Sequence, residues 1–119
     1  MKSASNKRNK FRVPINVIGE YTWNDTKAKC EIIDITDEGI GLTCNQIFAL
    51  NDMLFIAFAL DDITHISCNV EVKYMRGKIL GCRICEIDDY SKRKLVSFIE
   101  RKTDDNVRNI LKNMSLFLK

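Results

Sequence analysis

Residues 34–44 read DITDEGIGLTC, and this stretch predicts the strand–turn–strand unit on which the rest of the fold depends. The apolar alternation that runs through Ile32 slips by one residue, so that Ile33 and Ile35 are apolar while Asp34 and Thr36 are polar. Because strand side chains alternate with a period of two, such a slip indicates a bulge or a bend. The bend is expected to turn Asp34 and Thr36 to one common face. Gly39 falls in the turn, where we expect a backbone conformation that other residues avoid.

Strand-like segments extend on both sides of this unit, from about residue 13 to about residue 87. Residues 53–60, MLFIAFAL, are apolar throughout and predict a strand that is covered on both faces. In residues 66–74 every second residue is apolar, which predicts a strand whose inward side ends at Tyr74. The chain then turns back around Gly77. Six short antiparallel strands followed by helical sequence predict a mainly β fold: a six-stranded antiparallel β-barrel, split or of Greek-key order, with C-terminal α-helices.

The period of the apolar residues changes after residue 88, which predicts helices. Leu95, Phe98 and Ile99 lie at helical spacing, and Asp88, Asp89 or Ser91 is available as the cap. A second helix is expected to begin at a cap formed by Thr103 or Asp104. Its apolar stripe consists of Val107, Ile110, Leu111, Met114, Phe117 and Leu118. We expect the part formed by Met114, Phe117 and Leu118 to pack on the barrel and not to form a dimer seam.

The composition is that of a single globular domain. The chain has 119 residues, of which 45% are hydrophobic and 29% are charged. Its net charge of +3 does not by itself indicate nucleic-acid binding, and we expect no DNA partner. No segment reaches the roughly 20 apolar residues of a membrane span, and the first ten residues lack the apolar region of a signal peptide. We expect a cytoplasmic protein that is a monomer or a weak homodimer.

The side chains that usually carry metal or catalytic chemistry are sparse. The five cysteines are odd in number and lie mostly in apolar-alternating segments, which is typical of small buried side chains. Cys82 and Cys85 form a C-x-x-C, but in a strand residues three apart point to opposite faces. His65 is the single histidine, and no nucleophile evidently accompanies it. We therefore expect no metal site, no cofactor and no enzymatic activity.

The best candidate site combines the turn with the N-terminal segment. Arg8 and Arg12 are four residues apart in a basic stretch without acidic residues, and a guanidinium matches both phosphate and the O6/N7 edge of guanine. The Asp34 carboxylate can accept hydrogen bonds from guanine N1–H and N2–H, and the Thr36 hydroxyl can donate to a phosphate oxygen. At Gly39 the backbone can approach a ligand closely because no Cβ intervenes. Together these residues predict a pocket for a guanine nucleotide that carries phosphates.

The same residues resemble a known family. Residues 8–12, RNKFR, have the form R-x-x-x-R, and residues 34–39, DITDEG, have the form [D/N]-x-[S/T]-x-x-G. In this order, at the start of a small β domain, they resemble the two motifs of the PilZ domain, whose members are receptors for the bacterial second messenger cyclic di-GMP. The resemblance covers residues 7–102. We accordingly divide the chain into a flexible basic arm (1–12), a PilZ-like barrel with its following helix (12–102) and a C-terminal amphipathic helix (103–119).

The resemblance implies a role for each motif residue. Arg8 and Arg12 would bind the phosphates and the guanine edges. Asp34, Thr36 and Gly39, on the barrel surface, would bind a guanine. Threonine stands where serine is commoner in the second motif. It keeps the hydroxyl donor but adds a methyl group and stiffens the rotamer, so we expect binding to be retained with a shifted affinity.

Lys7 and Asn9 are accessory candidates in the first motif. Lys7 immediately precedes the arginine pair. With lysine at this position, either one or two messenger molecules could bind. Cyclic di-GMP is the ligand that the resemblance implies, and no cofactor is expected beside it.

The function implied is a ligand-dependent conformational switch that catalyses no reaction. A mobile arm would order over the barrel when the ligand binds, and the new surface would contact an unidentified downstream protein. One alternative is a PilZ-like adaptor that does not bind nucleotide. Another is a small barrel that binds single-stranded nucleic acid, for which Phe11, Tyr21 and Trp23 would be the aromatic residues near the basic arm.

Overall fold

The computed structural model describes residues 12–118, with side chains as far as Lys112. Six strands are followed by one helix. The strands are β1 (Val13–Trp23), β2 (Thr26–Ile35), β3 (Gly39–Thr43), β4 (Met53–Ala59), β5 (His65–Arg76) and β6 (Ile79–Ile87), and the helix is α1 (Asp89–Leu118).

The strands close into an antiparallel barrel with the order β1-β2-β3-β6-β5-β4, in which β4 pairs with β1. The predicted six-stranded antiparallel barrel is therefore confirmed. Closure pairs every strand on both sides and leaves no open sheet edge in the barrel.

Alternate residues of each strand fill the barrel and form a single core. Its largest fully buried side chains include Ile32, Leu42, Ile56 and Val70, together with Leu95 of the helix. Each such side chain contributes about 1.5–3 kcal/mol of burial free energy. The core therefore holds both the strands and the start of α1 in place.

The prediction that β4 is covered on both faces is wrong. Leu54, Ile56 and Phe58 face the core, but Met53 and Phe55 lie on the outer surface, and Phe55 is 43% exposed. Because both faces of this strand carry apolar residues, the sequence has no alternation that would separate the inner face from the outer one.

The helix begins as expected and continues further than expected. Asp88 caps it, because its Oδ1 accepts a hydrogen bond from the backbone N–H of Ser91 at 2.7 Å. No second helix starts near Thr103, because α1 runs without a break to Leu118. The Thr103 hydroxyl donates to the Ile99 carbonyl at 2.9 Å, which is an interior helical contact and not a cap.

The apolar stripe of the C-terminal half does not pack on the barrel where its side chains are described. Val107, Ile110 and Leu111 are about half exposed, whereas Leu95 on the first turns is fully buried. Met114, Phe117 and Leu118, for which packing on the barrel is predicted, lie beyond Lys112 and outside the described side chains, so that packing stays a prediction. Within residues 12–118, α1 has neither the hydropathy nor the low charge of a membrane-crossing helix.

Candidate functional site

The site is built on the turn that joins β2 to β3. In the pairing of these strands, Ile32 lies opposite Leu42 but Asp34 lies opposite Gly41, so one extra residue is accommodated at Ile33. This irregularity is the bulge that the slipped alternation predicts. It directs Ile35 into the core, where it is fully buried, and leaves Asp34 on the outer surface.

The Thr36 side chain holds the turn together. Its Oγ1 accepts hydrogen bonds from the backbone N–H groups of Glu38, at 3.1 Å, and Gly39, at 2.9 Å. The Thr36 N–H donates to the Gly39 carbonyl at 2.9 Å, and the Ile84 N–H donates to the Glu38 carbonyl at 2.8 Å. Thr36 is largely buried, and the oxygen of the hydroxyl that is predicted to meet a phosphate accepts bonds from the turn itself.

Gly39 is needed for a reason other than the expected one. Its backbone does not adopt a positive φ; among the described glycines, that conformation belongs to Gly77, at 61°. Instead, a Cβ built on Gly39 would lie 2.9 Å from the carbonyl oxygen of Cys82 on β6. Close contact between strands, and not backbone conformation, therefore favours glycine at this position.

Arg12 and Asp34 meet on the outer surface. Pro14 pairs with Asp34 across β1 and β2, which brings the residue before β1 alongside the end of β2. Nη1 of Arg12 donates to Oδ1 of Asp34 at 2.8 Å, with the arginine side chain 52% exposed and the carboxylate 25% exposed. A partly exposed pair of this kind contributes little net stability, because water and salt screen it.

A cavity of about 410 Å³ opens beside this ion pair. Its walls come from the β2–β3 turn and from the outer faces of β3, β5 and β6; the lining residues are Arg12, Thr36, Glu38, Gly39, Ile40, Lys73, Tyr74, Gly81, Cys82 and Arg83. Three of these are cations, which suits an anionic ligand. The cavity therefore joins the two sequence motifs to a surface that neither motif includes.

The two cations that line the cavity from β5 and β6, Lys73 and Arg83, form ion pairs with the same carboxylate. Oε1 of Glu71, on β5, lies 3.2 Å from Nη2 of Arg83. Oε2 of the same carboxylate lies 3.7 Å from Nζ of Lys73. The side chains of Lys73 and Arg83 remain about half exposed, so both are accessible from the cavity side.

The predicted site residues are thus partly brought together. Arg12, Thr36 and Gly39 line the cavity, and Asp34 is bonded to Arg12. Lys7, Arg8 and Asn9 lie outside the described residues.

Sequence reasoning missed Lys73, Tyr74, Gly81 and Arg83 on β5 and β6. Tyr74 was expected to face inward, but Val72 pairs with Cys82 and Tyr74 with Gly81, so a bulge at Lys73 reverses the alternation. As a result, Tyr74 lies on the outer surface and is 44% exposed. The sequence carries no signal for this reversal, because Tyr74 continues the apparent alternation of β5.

The turn is also tied to the helix. Nζ of Lys92, in the first turn of α1, donates to the backbone carbonyl of Asp37 at 3.0 Å. A second link joins the same helix end to β5, because the Ser67 N–H donates to Oγ of Ser91 at 3.1 Å. The candidate site and the start of α1 are therefore connected through hydrogen bonds.

The cysteines take the positions expected of buried hydrophobic residues, with Cys85 as the exception. Cys82 is buried and Cys85 is exposed, so the two thiols of the C-x-x-C face opposite sides of β6. Burial raises the pKa of Cys82 to about 12 and that of Cys68 to about 12. Among residues 12–118, no three His, Cys, Asp or Glu side chains are grouped in a way that could hold a metal ion.

Tyr21 and Trp23, the two described members of the aromatic group near the basic arm, pack inward and do not form a stacking surface for nucleic acid. Tyr21 is only 4% exposed, and both Tyr21 and Trp23 pack edge-to-face against Phe48. Of the three aromatic residues suggested for nucleic-acid binding, Phe11 lies outside the described residues.

Comparison with known proteins identifies the family. The model of the PilZ domain matches residues 6–101. No curated protein matches the chain. The barrel is similar to solved structures of low sequence identity, which support the fold alone.

Three of these structures illustrate the similarity. The inhibitor of motility MotI/DgrA of Bacillus subtilis has a TM-score of 0.71 at 13% identity, over 82% of this chain and 52% of that one. The PilZ domain of YcgR from Escherichia coli, solved with c-di-GMP, has a TM-score of 0.64 at 13% identity, over 86% of this chain and 98% of the domain. PlzA of Borreliella burgdorferi, in complex with c-di-GMP, has a TM-score of 0.62 at 15% identity, over 82% of this chain and 44% of that one.

The chain thus spans about half the length of MotI/DgrA and less than half that of PlzA. The match of the family model extends over most of the sequence, and the closed barrel and the turn that carries the second motif agree with it. The chain belongs to the PilZ domain family.

Proposed function

We propose that this protein is a receptor for cyclic di-GMP that binds the nucleotide without chemical change. The observation that carries the proposal is the contact between Arg12 and Asp34, which brings one residue of each PilZ motif to the edge of a cavity that Lys73 and Arg83 also line. Membership of the PilZ family and the presence of c-di-GMP in two of the similar structures support the same ligand.

Asp34 and Arg12 would exchange partners on binding. Each already makes a charge-assisted hydrogen bond to the other, so both side chains are held at the site. The carboxylate would then accept from the N1–H and N2–H groups of a guanine. The guanidinium would turn to a phosphate or to the O6/N7 edge, with Arg8 as the second guanidinium.

Thr36 would act mainly through the turn. A hydroxyl has two acceptor positions and one donor, and the two backbone N–H groups use the acceptor side. The O–H proton remains for a phosphate oxygen. Gly39 would keep β3 close to β6 and leave the cavity floor open.

The ligand would also order the N-terminal arm, residues 1–12, against the barrel, and the combined surface would contact a downstream protein. Ordering costs about 1–2 kcal/mol per residue, and charge-assisted bonds of about 1.5–3 kcal/mol each offset it. Because the bonds are electrostatic and partly exposed, affinity should fall as salt is raised.

Calorimetric titration with cyclic di-GMP tests the proposal. The wild-type protein, Arg8→Ala and Asp34→Ala are compared with Arg108→Ala, which removes an exposed arginine on α1 away from the cavity. Saturable binding that the first two changes abolish and the third leaves intact supports the receptor. Absence of binding by the wild type rejects it in favour of the adaptor, and displacement of the nucleotide by short RNA would favour the nucleic-acid barrel.

A further inference from the structure

Beside the candidate site, β1 has one residue more than β2. Pro14 lies opposite Asp34. The next pair along the strands is Val17 opposite Ile32, so two residues of β1 face a single residue of β2. An extra residue in one strand of an antiparallel pair is a β-bulge, which bends the strand and changes the direction of nearby side chains. The second of the two residues is Asn16, and we call this irregularity the Asn16 bulge.

Asn16 supplies an unusual backbone conformation to the bulge. Its φ is 57°, in the left-handed region that glycine and asparagine enter more readily than other residues. The other described residues with a positive φ lie in turns between strands; they are Asn24, Asp25, Asn51 and Gly77. Among the described residues, Asn16 alone has this conformation within a strand. Its side chain is exposed, so its contribution comes from the backbone and not from packing.

The neighbouring strand is irregular at the same level of the barrel. Between the same two levels the chain uses five residues on β1, four on β2 and three on β3; these are Val13–Val17, Ile32–Ile35 and Ile40–Leu42. Each strand thus has one residue more than the next, and two bulges lie side by side. Bulges of this kind redirect side chains next to binding sites. Asp34 directly follows the bulged residue of β2, so the Asn16 bulge lies alongside the motif carboxylate.

The Asn16 bulge sets the register between Arg12 and Asp34. If the pairing continued from Val17 without an extra residue, Ile15 would lie opposite Asp34. Arg12 would then be one residue further from Asp34 along the strands, a shift of about 3.3 Å. A shift of this size is larger than the whole range of hydrogen-bond lengths. The present 2.8 Å bond between Arg12 and Asp34 therefore depends on the bulge.

We propose that Asn16 is a positioning residue of the nucleotide site: its left-handed backbone conformation keeps Arg12 in register with Asp34. The inference rests on the proposed function and deepens it, because it adds a residue that belongs to neither motif and does not line the cavity. Asn16 would touch neither the base nor the phosphates of the nucleotide. It would change affinity only through the placement of Arg12.

Titration of variants at position 16 with cyclic di-GMP tests this role. Asn16→Gly admits a positive φ freely and should bind within about twofold of the wild type. Asn16→Val disfavours the left-handed region because its side chain is β-branched. It should weaken binding by about 10- to 150-fold, the loss expected for one charge-assisted hydrogen bond. Asn16→Ala is a milder change that keeps the test decisive if the valine variant does not fold, and its affinity should lie between the other two.

Asn24→Val is the matched control. Asn24 has a φ of 49° in the turn at the other end of the same two strands, and it does not line the cavity. Its replacement by valine should lower the free energy of unfolding, as Asn16→Val does, because both force a β-branched residue into the left-handed region. The affinity for cyclic di-GMP should stay unchanged. Urea denaturation measures the stability of both variants, and calorimetry measures their affinity.

A double-mutant cycle shows whether Asn16 acts through Arg12. The affinities of Asn16→Val, Arg12→Ala and the double variant are compared with that of the wild type. Arg12→Ala already removes the guanidinium that the bulge positions. The double variant should therefore bind more tightly than the product of the two single losses predicts. A double variant that shows the full product would mean that Asn16 acts independently of Arg12.

The register can also be measured in the protein without nucleotide. Cross-strand nuclear Overhauser contacts report which residues of two strands lie opposite each other. Asn16→Gly should keep the contact between Pro14 and Asp34 that the wild-type pairing predicts. Asn16→Val should replace it with a contact between Ile15 and Asp34.

The outcomes are distinguishable. Weakened binding and a shifted register in Asn16→Val, with neither change in Asn16→Gly, support the positioning role. A valine variant that is destabilised but keeps the register and binds like the wild type overturns it and leaves the receptor function standing. The core would then hold the register whatever residue occupies position 16. A wild-type protein that does not bind the nucleotide overturns both proposals.

Discussion

Nη1 of Arg12 lies 2.8 Å from Oδ1 of Asp34, so a residue of each sequence motif already contacts the other on the barrel surface. In the proposed receptor, this pairing would hold the two side chains next to each other at the site. The bond uses one N–H of the guanidinium and one oxygen of the carboxylate, so further donors and acceptors remain for a nucleotide.

Arg12→Ala should therefore weaken cyclic di-GMP binding by about 10- to 150-fold, the loss expected for one charge-assisted hydrogen bond. The free energy of unfolding should change by less than about 1 kcal/mol, because the ion pair is partly exposed. Calorimetry measures the first quantity and urea denaturation the second. A large loss of stability with unchanged affinity would mean that the pair is structural.

Gly41→Ala tests whether the position of Asp34 matters, apart from its charge. The new methyl group would displace the Asp34 carboxylate from Gly41, and we expect affinity to fall about tenfold or more. Gly77→Ala is the contrasting change. A Cβ at Gly77 would meet open space, but the backbone φ of 61° disfavours alanine. This substitution should therefore lower the free energy of unfolding by about 1 kcal/mol and leave affinity unaltered. Equal affinities for the two variants would contradict a positional role for Asp34.

Thr36 should tolerate serine but not valine. Serine keeps the oxygen that accepts from the N–H groups of Glu38 and Gly39, whereas valine removes this acceptor at a buried position. We expect Thr36→Val to lower the free energy of unfolding by about 1–3 kcal/mol and Thr36→Ser by much less. Chemical denaturation followed by circular dichroism measures both, and a fully stable valine variant would disprove the role in the turn.

The two halves of α1 should differ in their contribution to stability. Leu95 is fully buried against the barrel, and Leu95→Ala should cost about 2–5 kcal/mol. Leu111 is 58% exposed on the same helix, and Leu111→Ala should change stability by no more than about 0.5 kcal/mol. If the second change were as costly as the first, the stripe of the C-terminal half would have to be covered in solution.

Stability should fall as the pH rises above about 9. Burial raises the pKa of Cys82 to about 12, so the unfolded chain, whose thiol keeps the ordinary value near 9, releases this proton first. Between these two pKa values, the unfolded state binds fewer protons than the folded state, and each pH unit should cost up to about 1.4 kcal/mol per thiol.

Denaturation under reducing conditions at pH 8 and pH 10 measures this decline. The free energy of unfolding of Cys82→Ala should decline less steeply with pH than that of the wild type, because the variant lacks the buried thiol. Cys85→Ala is the control, since Cys85 is exposed on the same strand and its removal should leave the slope as it is. Parallel slopes for wild type and Cys82→Ala would exclude the mechanism.

The sequence was sufficient for the barrel and for the irregular strand at the site. The slip after Ile32 is visible because Asp34 and Thr36 interrupt an apolar pattern, and the bulge is found there. The bulge at Lys73 is not visible in the same way, because Tyr74 continues the apparent alternation of β5 although the chain has shifted by one residue. An amphipathic side chain such as tyrosine fits either face of a strand.

The far wall of the candidate site could not be predicted for a related reason. Gly41 lies more than thirty residues before Tyr74 and Gly81, and only the pairing of β3, β5 and β6 places the three in one row. Helix length was also misjudged, because Thr103 resembles a cap in sequence while its hydroxyl bonds within the helix. Caps and interior threonines differ in backbone geometry, which the residue type does not specify.

The hydrogen bond from Lys92 to the Asp37 carbonyl fastens the start of a long helix to the β2–β3 turn. Since α1 has 30 residues, it is about 45 Å long. A tilt of about 5° at the end near Lys92 would carry the far end through about 4 Å. A small shift of Asp37 would therefore produce a larger displacement in the part of α1 where the apolar side chains of Val107, Ile110 and Leu111 are exposed.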